Sequence, residues 1–486
     1  MEDGKIADNK MVKNIIIYMF RTFIVAVSPM IIFPYASRIL GDEGVGKVQF
    51  IQSLATYFQL FATFGIASYG IREGSRIRDD KERLGKLVSE LTILNLITTL
   101  VSILVYFTTF KMERFNGYHG IMIVFAFYVF FYGMNFDWFF NVTEEYSFIT
   151  IRTTLFQIMA IVFMFLFLRE RGDVIAYAVV LVFPYVGSFF ANISGIKRHI
   201  KLFKGYKLEL LHHIPALVLL FSIIISTSIY SLLDTTMLGI MKGDSEVGLY
   251  TAASKLTRLI VQLTTAMCTV FVPRLSYYLG QNKQNDFRKL ALRSSDIISI
   301  IAIPCAVGLF MYSKPSILLY SGEEFVGAEL ALKILAINLI FSALDGFLGW
   351  QILVPNNKDK ILFIATLVGA SIDFFLNFVW IPKWSVNGAA MATLFAEGMV
   401  FVICIINVRK IICLSKVFAH CFKCLIATLP IIALGIILNA DGNATVIDLL
   451  FAIPISAVLY LFLLVLLKEE IVHDILITIR KKLKGF

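Results

Sequence analysis

Apolar runs of about 20 residues recur along this chain of 486 residues, and short polar stretches separate them. A helix of about 20 apolar residues crosses the roughly 30 Å of hydrocarbon in a bilayer. The pattern therefore predicts an all-α polytopic membrane protein with about fourteen transmembrane helices. The predicted spans are 14–38, 46–70, 84–108, 119–140, 148–168, 174–196, 214–239, 247–272, 290–313, 328–353, 361–382, 387–408, 418–438 and 446–467.

The basic residues predict the orientation of these spans. Lys and Arg cluster in the loops 72–86, 197–207 and 274–293, whereas the loop 439–445 contains neither. Because cytoplasmic loops carry an excess of Lys and Arg, both termini are predicted to be cytoplasmic. The same distribution explains the formal net charge of +10 without nucleic-acid binding. The first dozen residues are polar and give no sign of a cleavable signal peptide.

A short internal repeat suggests how the spans are grouped. The segment LGDEGVG at 40–46 matches Leu238-Gly239 and Val247-Gly248 with an insertion of about four residues. Two six-helix halves of like orientation are the plan of many carriers. The predicted domains are an N-terminal lobe at 1–200, a C-terminal lobe at 201–412, and two additional helices with a cytoplasmic tail at 413–486.

Arg21, Lys255 and Arg258 are cations that lie inside predicted spans. A charge at this depth costs at least ~2.5–3.5 kcal/mol, so it usually faces a polar cavity with a function. Lys255 and Arg258 are three residues apart and share one face of a helix. A cationic face inside a membrane predicts an anionic substrate. The alternative is structural: Arg21 would extend to the inner headgroups and Lys255 would pair with Asp234.

Oxygen-bearing side chains form a second set, mostly in the second half of the chain. Asp373 and Asn377 share a helix face, as do Thr393 and Glu397, and Asp234 lies near the outer end of its span. Such oxygens are the ligands that a hard cation such as Na⁺ accepts, and they can equally relay protons. The alternative is that they form hydrogen bonds between packed helices.

Signatures of enzymes are absent from the sequence. It contains no Gly-rich phosphate loop, His-rich metal motif or nucleophile elbow, so it predicts no catalytic residue. Cys421 and Cys424 form a Cys-x-x-Cys without a partner pair and are interpreted as small apolar residues. Asp137 and Asp296 lie near the inner ends of spans and are predicted to be interfacial or paired structurally.

An ordered set of segments resembles the polysaccharide repeat-unit flippases, a family of the multidrug, oligosaccharidyl-lipid and polysaccharide exporter superfamily. The similarity runs from about residue 12 to residue 410, and the last two spans match mainly in hydropathy. The segments are FPYASRILG at 33–41, GVG at 44–46, YGIRE at 69–73, RDDK at 78–81, LDTTMLG at 233–239, VGLY at 247–250 and PRLS at 273–276.

The resemblance implies fourteen helices, two six-helix lobes around a central cavity, and alternating access in a bacterial plasma membrane. It implies that an oligosaccharide on undecaprenyl pyrophosphate moves from the inner to the outer leaflet for capsule, exopolysaccharide or O-antigen synthesis. The implied partners are membrane lipids, a polysaccharide polymerase and chain-length machinery. Arg21, Lys255 and Arg258 match the cavity cations of the family. By similarity to the lipid II flippases, a possible sodium site comprises Asp234, Asp373, Asn377 and Thr393.

Three other functions remain as alternatives. A multidrug exporter of the same fold, driven by an ion gradient, would favour an acidic or aromatic cavity, so the buried cations argue against it. A membrane polymerase or ligase would carry a large outside loop, and every predicted outside loop is short. A purely structural partner of a synthase would have no use for charges inside the membrane.

Overall fold

The computed structural model describes residues 2–230, 232–438, 445–469 and 471, and within these residues every regular element is helical. The prediction of an all-α protein is therefore confirmed. The α-helices, numbered in chain order, are α1 (Glu2–Thr63), α2 (Ile66–Arg76), α3 (Lys81–Thr109), α4 (His119–Gly133), α5 (Asp137–Val142), α6 (Tyr146–Phe167), α7 (Val174–His199), α8 (Ile214–Tyr230), α9 (Leu233–Met241), α10 (Asp244–Gly280), α11 (Gln284–Met311), α12 (Ser313–Tyr320), α13 (Glu329–Gly346), α14 (Asp359–Val408), α15 (Leu414–Ala427), α16 (Leu429–Leu438) and α17 (Val446–Leu466).

Ten helical stretches among the described residues are long and apolar enough to cross a bilayer, and Leu210–Ser222 is a shorter apolar helix. The chain is therefore a multi-pass membrane protein, while the count of fourteen crossings stays a prediction. Two of the stretches, Val27–Arg76 and Asp359–Val408, contain 50 residues each. A straight helix of that length would extend about 75 Å, more than twice the hydrocarbon thickness.

Single residues bend these two stretches where the sequence predicts short turns. In α1 the bend is at Gly41, with φ 71° and ψ −177°. In α14 it is at Ser385, with φ 48° and ψ −124°. Gly41 adopts a positive φ at little cost because it has no Cβ, whereas the same sign of φ strains Ser385.

Several predicted spans consist of two helices in succession; 46–70, for example, contains the end of α1 and the start of α2. The span 119–140 contains α4 and the start of α5, the span 214–239 contains α8 and most of α9, and the span 418–438 contains α15 and α16. A helix break leaves backbone polar groups without their usual partners, and a membrane tolerates this only inside protein or beside a polar cavity. The break before α5 brings Asn135 and Asp137 into a transmembrane region.

The chain folds as two compact units, Met1–Gly248 and Leu249–Phe486. In the first unit α1 packs against α3, α4 and α6, and α7 packs against α4 and α6. In the second unit α13 packs against α11 and α14, and α15 packs against α11. Each unit has its own apolar core, with Phe139 and Phe140 buried in the first and Phe287 and Phe347 buried in the second. The division into lobes at 1–200, 201–412 and 413–486 stays a prediction.

The internal repeat folds as two similar turns, in a register that differs from the predicted one. Residues 41–46 (GDEGVG) and 243–248 (GDSEVG) share Gly, Asp, Val and Gly in the same order with no insertion. Both begin with a left-handed glycine, Gly41 at φ 71° and Gly243 at φ 115°. The predicted alignment needs an insertion because it pairs Gly41 with Gly239, whereas the structure pairs Gly41 with Gly243. We call residues 41–46 and 243–248 together the twin turn.

The two copies of the twin turn cross at their last glycines. A Cβ on Gly46 would lie 2.6 Å from the carbonyl carbon of Asp244, and a Cβ on Gly248 would lie 2.8 Å from the carbonyl carbon of Asp42. The contact is reciprocal, because each final glycine packs on the backbone of the opposite aspartate. The Ser245 hydroxyl also donates a hydrogen bond to the Asp42 carboxylate. Only glycine permits the backbones to approach this closely.

A tyrosine links the twin turn to the start of α4. The Tyr118 hydroxyl lies 2.7 Å from a carboxylate oxygen of Asp244, to which it donates a hydrogen bond. Burial raises the pKa of Asp244 above its ordinary value. Burial and the hydrogen bond to Asp244 together raise the pKa of Tyr118 to about 12. The tyrosine therefore stays protonated, and it donates, across the physiological pH range.

Candidate functional site

Two arginines and one aspartate form a charged cluster in the first unit. Nη2 of Arg21, on α1, lies 2.9 Å from Oδ2 of Asp137, at the start of α5. Nη2 of Arg152, on α6, lies 2.8 Å from Oδ1 of the same carboxylate. We call these three residues the arginine cluster. The structural pairing predicted for Asp137 is confirmed. Arg21, which lies within a predicted span, forms an ion pair with this carboxylate.

Two asparagines hold the carboxylate of the arginine cluster in place. Nδ2 of Asn192, on α7, donates to Oδ1 of Asp137 at 3.0 Å and to Oδ1 of Asn135 at 3.1 Å. Oδ1 of Asn135 also accepts from the backbone N–H of Asp137 at 3.0 Å. Arg152 donates to the side-chain oxygen of Asn192. These bonds provide partners for the carboxylate and for both terminal nitrogens of Arg152, as an ion pair removed from water requires, while Nε of Arg152 is buried without a hydrogen bond to any residue that the structure describes.

The arginine cluster has one more positive than negative charge. Guanidinium groups stay protonated in proteins, so two arginines and one carboxylate leave a net charge of about +1. The Arg152 side chain is 5% exposed, whereas that of Arg21 is 22% exposed. Arg21 can therefore turn to an incoming anion while Arg152 continues to neutralise Asp137. The arrangement can bind an anion without leaving a buried carboxylate uncompensated.

The sequence analysis did not select Arg152, although a signal for it existed. Arg152 lies inside the predicted span 148–168, and the criterion that selected Arg21 would have selected it too. The connection between Arg21 and Asp137 carried no sequence signal, because 116 positions separate the two residues. Only the packing of α1 and α5 against α6 brings these charges together.

The other two predicted substrate-binding cations lie on α10 in the second unit. Lys255 is half-buried and Arg258 is exposed. Their separation of three residues places them on one face of the helix, as the sequence predicts. Because Arg21 belongs to the first unit, the joint action of the three cations on one substrate stays a prediction.

Three of the four predicted sodium ligands are buried, and the fourth, Thr393, is half-buried. Asp373 and Asn377 are fully buried one turn apart on α14, and Asp234 is buried in the first turn of α9. The hydroxyl of Thr393, beyond the bend in α14, lies 3.2 Å from that of Tyr250 on α10. Asp373, Asn377 and Thr393 belong to the second unit and Asp234 to the first. Within the second unit, Asp373, Asn377 and Thr393 offer a carboxylate, an amide and a hydroxyl, the kinds of oxygen that a hard cation accepts.

A second acidic pair in the second unit includes a residue that the sequence analysis missed. Asp345 lies near the end of α13, and its charge interacts with that of Glu397 on α14. The Asp345 residue is 8% exposed. A π-helical segment at Phe347–Leu353 begins two residues after Asp345, and such segments often occur at functional sites. Two carboxyl groups at close range favour the uptake of a proton or a cation between them.

The second unit also contains an apolar cavity of about 470 Å³. It lies between α11, α16 and α17, and its walls include Pro304, Tyr312, Ile431, Ser456 and Tyr460. This volume is within the range of ordinary ligand pockets. An apolar chain is the kind of ligand that such a lining accommodates.

Comparison with known proteins places this architecture in a family. A family model described as polysaccharide biosynthesis protein matches residues 11–279. A second model, MatE, matches residues 220–379. A candidate O-antigen transporter of Shigella dysenteriae is 21% identical over 76% of this chain and 93% of its own length. A candidate O-antigen transporter of Escherichia coli K12 is 22% identical over 79% of this chain and 92% of its own length.

Solved structures show the same fold. The lipid II flippase MurJ in an inward closed conformation superposes with a TM-score of 0.77 at 15% identity, over 94% of this chain and 100% of that chain. An inward-facing multidrug resistance transporter of the MATE family superposes with a TM-score of 0.60 at 13% identity, over 83% of this chain and 98% of that chain. The predicted resemblance is confirmed, and since the first family model spans more than half of the sequence, the chain belongs to the polysaccharide biosynthesis protein family.

Proposed function

We propose that this protein is a flippase that moves an oligosaccharide linked to undecaprenyl pyrophosphate from the inner to the outer leaflet of a bacterial plasma membrane. Membership of the family and similarity to candidate O-antigen transporters support this function. The protein would act as a carrier and catalyse no chemical step. Its product would supply a polysaccharide polymerase and chain-length machinery on the outer side, with both termini of the flippase in the cytoplasm.

The arginine cluster is the observation that carries this proposal. A pyrophosphate loses its hydration on entering hydrocarbon, and fixed cations lower that cost by replacing water. Arg21 would bind phosphate oxygens with its planar fork of donors. Asp137 would keep Arg152 as its partner during that exchange. The cluster therefore offers an anion site in the first unit. Without a bound anion, both arginines remain paired with Asp137, so the empty site costs little folding free energy.

Lys255 and Arg258 would provide the second contact with the diphosphate. They lie on one face of α10, where Lys offers a compact charge and Arg a bidentate donor. Rocking of two lobes would then expose the bound headgroup first to the inner and then to the outer side. The apolar cavity between α11, α16 and α17 would hold part of the polyprenyl chain while the sugar moves.

An ion gradient would drive the cycle. Asp234, Asp373, Asn377 and Thr393 would bind Na⁺ through their oxygen atoms. The pair of Asp345 and Glu397 offers the alternative of a proton. Transport measured under a Na⁺ gradient alone and under a pH gradient alone distinguishes the two ions.

A leaflet assay tests the proposed function. Proteoliposomes would contain an undecaprenyl-pyrophosphate oligosaccharide, and an external glycosidase would report the fraction of sugar exposed. We expect Arg21→Gln to slow translocation about 10–100-fold, because one charge-assisted contact contributes about 1.5–3 kcal/mol. Asp137 keeps Arg152 in this variant, so folding is preserved. Arg198→Gln, at an exposed arginine, is the matched control.

Two results would contradict the proposal. Equal translocation by wild type and Arg21→Gln would remove the arginine cluster from the mechanism. A protein that left the lipid in place but expelled a cationic dye under an ion gradient would instead be a multidrug exporter, the function favoured by the MatE match.

A further inference from the structure

Two carboxylates and one imidazole from three separate elements meet in the second unit, away from the residues assigned to transport. Nδ1 of His420, on α15, lies 3.1 Å from Oε1 of Glu469 and 3.6 Å from Oδ1 of Asp296 on α11. One ligand atom from each residue lies within 4.8 Å of the other two. Glu469 follows α17, so the three residues join α11, α15 and the end of α17.

The backbone after α17 is shaped to bury Glu469. Lys468 adopts a left-handed conformation with φ 51°. The N–H of Glu469 then donates to the carbonyl of Leu464 at 3.0 Å. This is the helix-ending geometry that glycine usually provides. A lysine in this conformation is strained, and the surrounding packing must hold it there. The turn places the Glu469 side chain, only 3% exposed, against His420.

The charges of this cluster favour a divalent cation. A single ring nitrogen faces both carboxylates, and that nitrogen can carry only one proton. A divalent ion would compensate both carboxylates at once. Ligand atoms about 2.0–2.1 Å from a tetrahedral ion are about 3.4 Å apart. The two separations from Nδ1 of His420, 3.1 and 3.6 Å, lie on either side of that value, and the two carboxylates offer oxygen atoms within 4.8 Å of each other.

We propose that Asp296, His420 and Glu469 bind one divalent transition-metal ion of the Zn²⁺ class. Nδ1 of His420 and one oxygen from each carboxylate would be the ligands, a mixed nitrogen and oxygen set suited to such ions. Nε2 of His420 lies 3.3 Å from Sγ of Cys424. That contact would keep the proton on Nε2 and leave the lone pair of Nδ1 for the metal. The ion would fasten the end of α17 to α11 and α15.

Metal binding by the purified full-length protein in detergent tests this site. After treatment with EDTA and dialysis, we expect Zn²⁺ titration to give about one ion per chain and a higher unfolding temperature. Glu469→Gln keeps the shape of the side chain and should abolish tight binding. Cys424→Ala, which removes the acceptor for Nε2 of His420, should weaken binding about 10–100-fold, the usual effect of changing a partner of a ligand. His212→Ala, at an exposed histidine, should bind like wild type.

Co²⁺ provides a second measurement that does not depend on stability. Its visible absorption should appear on binding to wild type and change in Glu469→Gln. Wild-type protein that binds neither ion would overturn the proposal and leave an imidazole paired with two carboxylates. Undiminished binding of Zn²⁺ by Glu469→Gln would overturn it as well.

Discussion

The crossing of the twin turn can be tested by adding one methyl group at Gly46. In Gly46→Ala the new Cβ would lie 2.6 Å from the carbonyl carbon of Asp244 and 3.0 Å from the backbone nitrogen of Gly248. Non-bonded carbon atoms pack at about 3.5–4.0 Å, and the carbonyl oxygen of Asp244 would lie even closer to the new Cβ, so the two turns must separate by more than about 1 Å. The atoms of Asp244 and Gly248 that oppose the new Cβ all belong to the backbone, so no side-chain rotation can relieve these contacts.

The expected effect is a net loss of stability of about 2 kcal/mol. Overpacking of this kind costs about 1–3 kcal/mol, and a contact with backbone lies at the upper end. Replacing glycine by alanine inside a helix returns about 0.5–1 kcal/mol. A net loss of about 2 kcal/mol would lower the apparent Tm by roughly 4–8 °C for a unit of about 250 residues. Gly248→Ala should act in the same direction.

Thermal unfolding in detergent, followed by intrinsic fluorescence, measures this effect. The control is Gly398→Ala on α14, where nothing lies within 4 Å of the added Cβ. That variant reports the propensity gain alone and should unfold at or above the wild-type temperature. Combining Gly46→Ala with Gly248→Ala should cost less than the sum, because one separation relieves both contacts. An unchanged or higher Tm for Gly46→Ala would refute the close crossing.

Three further substitutions test other parts of the structure by thermal unfolding. Asp137→Ala should lower the free energy of unfolding by about 3–5 kcal/mol, because it leaves two guanidinium groups without their carboxylate. Adding Arg152→Met should restore part of this loss. A double variant whose loss equals the sum of the two single losses would contradict the pairing. Burial raises the pKa of Asp244 in the folded protein above 3.8. The protonated group therefore contributes to the stability of the folded state in full below pH 3.8, and this contribution is lost as the pH rises through the pKa of the folded state. Asp244→Asn should therefore gain Tm relative to wild type between pH 4 and pH 7, and a constant difference would count against a buried carboxyl. Thr445→Ala removes the capping side chain of α17 and should cost about 1 kcal/mol, which an unchanged Tm would disprove.

The arginine cluster shows which part of the site could be predicted. Arg21 can be recognised from the sequence alone because it is a charged residue within an apolar run, and Arg152 can be recognised by the same criterion. A structural pairing of Asp137 could be predicted as one of two alternatives, but its partners could not, because 116 positions separate Asp137 from Arg21. The same holds for Asp345, whose partner Glu397 lies on another helix.

The twin turn shows the same limit at the level of the fold. The repeat was recognisable from its letters, but the alignment chosen by letters alone needed an insertion. The positive φ of Gly41 and Gly243 and the reciprocal contacts of Gly46 and Gly248 fix the correct register. Composition cannot predict this close approach of two backbones, because it depends on glycines that have no side chain at the point of contact.

The sequence by itself determined that this chain is helical and crosses a membrane many times. Both properties depend on local hydrophobicity over about 20 residues, since each span must satisfy its own backbone hydrogen bonds in hydrocarbon. The tertiary structure alone decided which charges meet. It joined Arg21 to a carboxylate 116 positions away and brought Asp296 and Glu469 to the same imidazole ring. Charges inside a membrane need partners, but packing between helices selects them, and that selection depends on all the helices together.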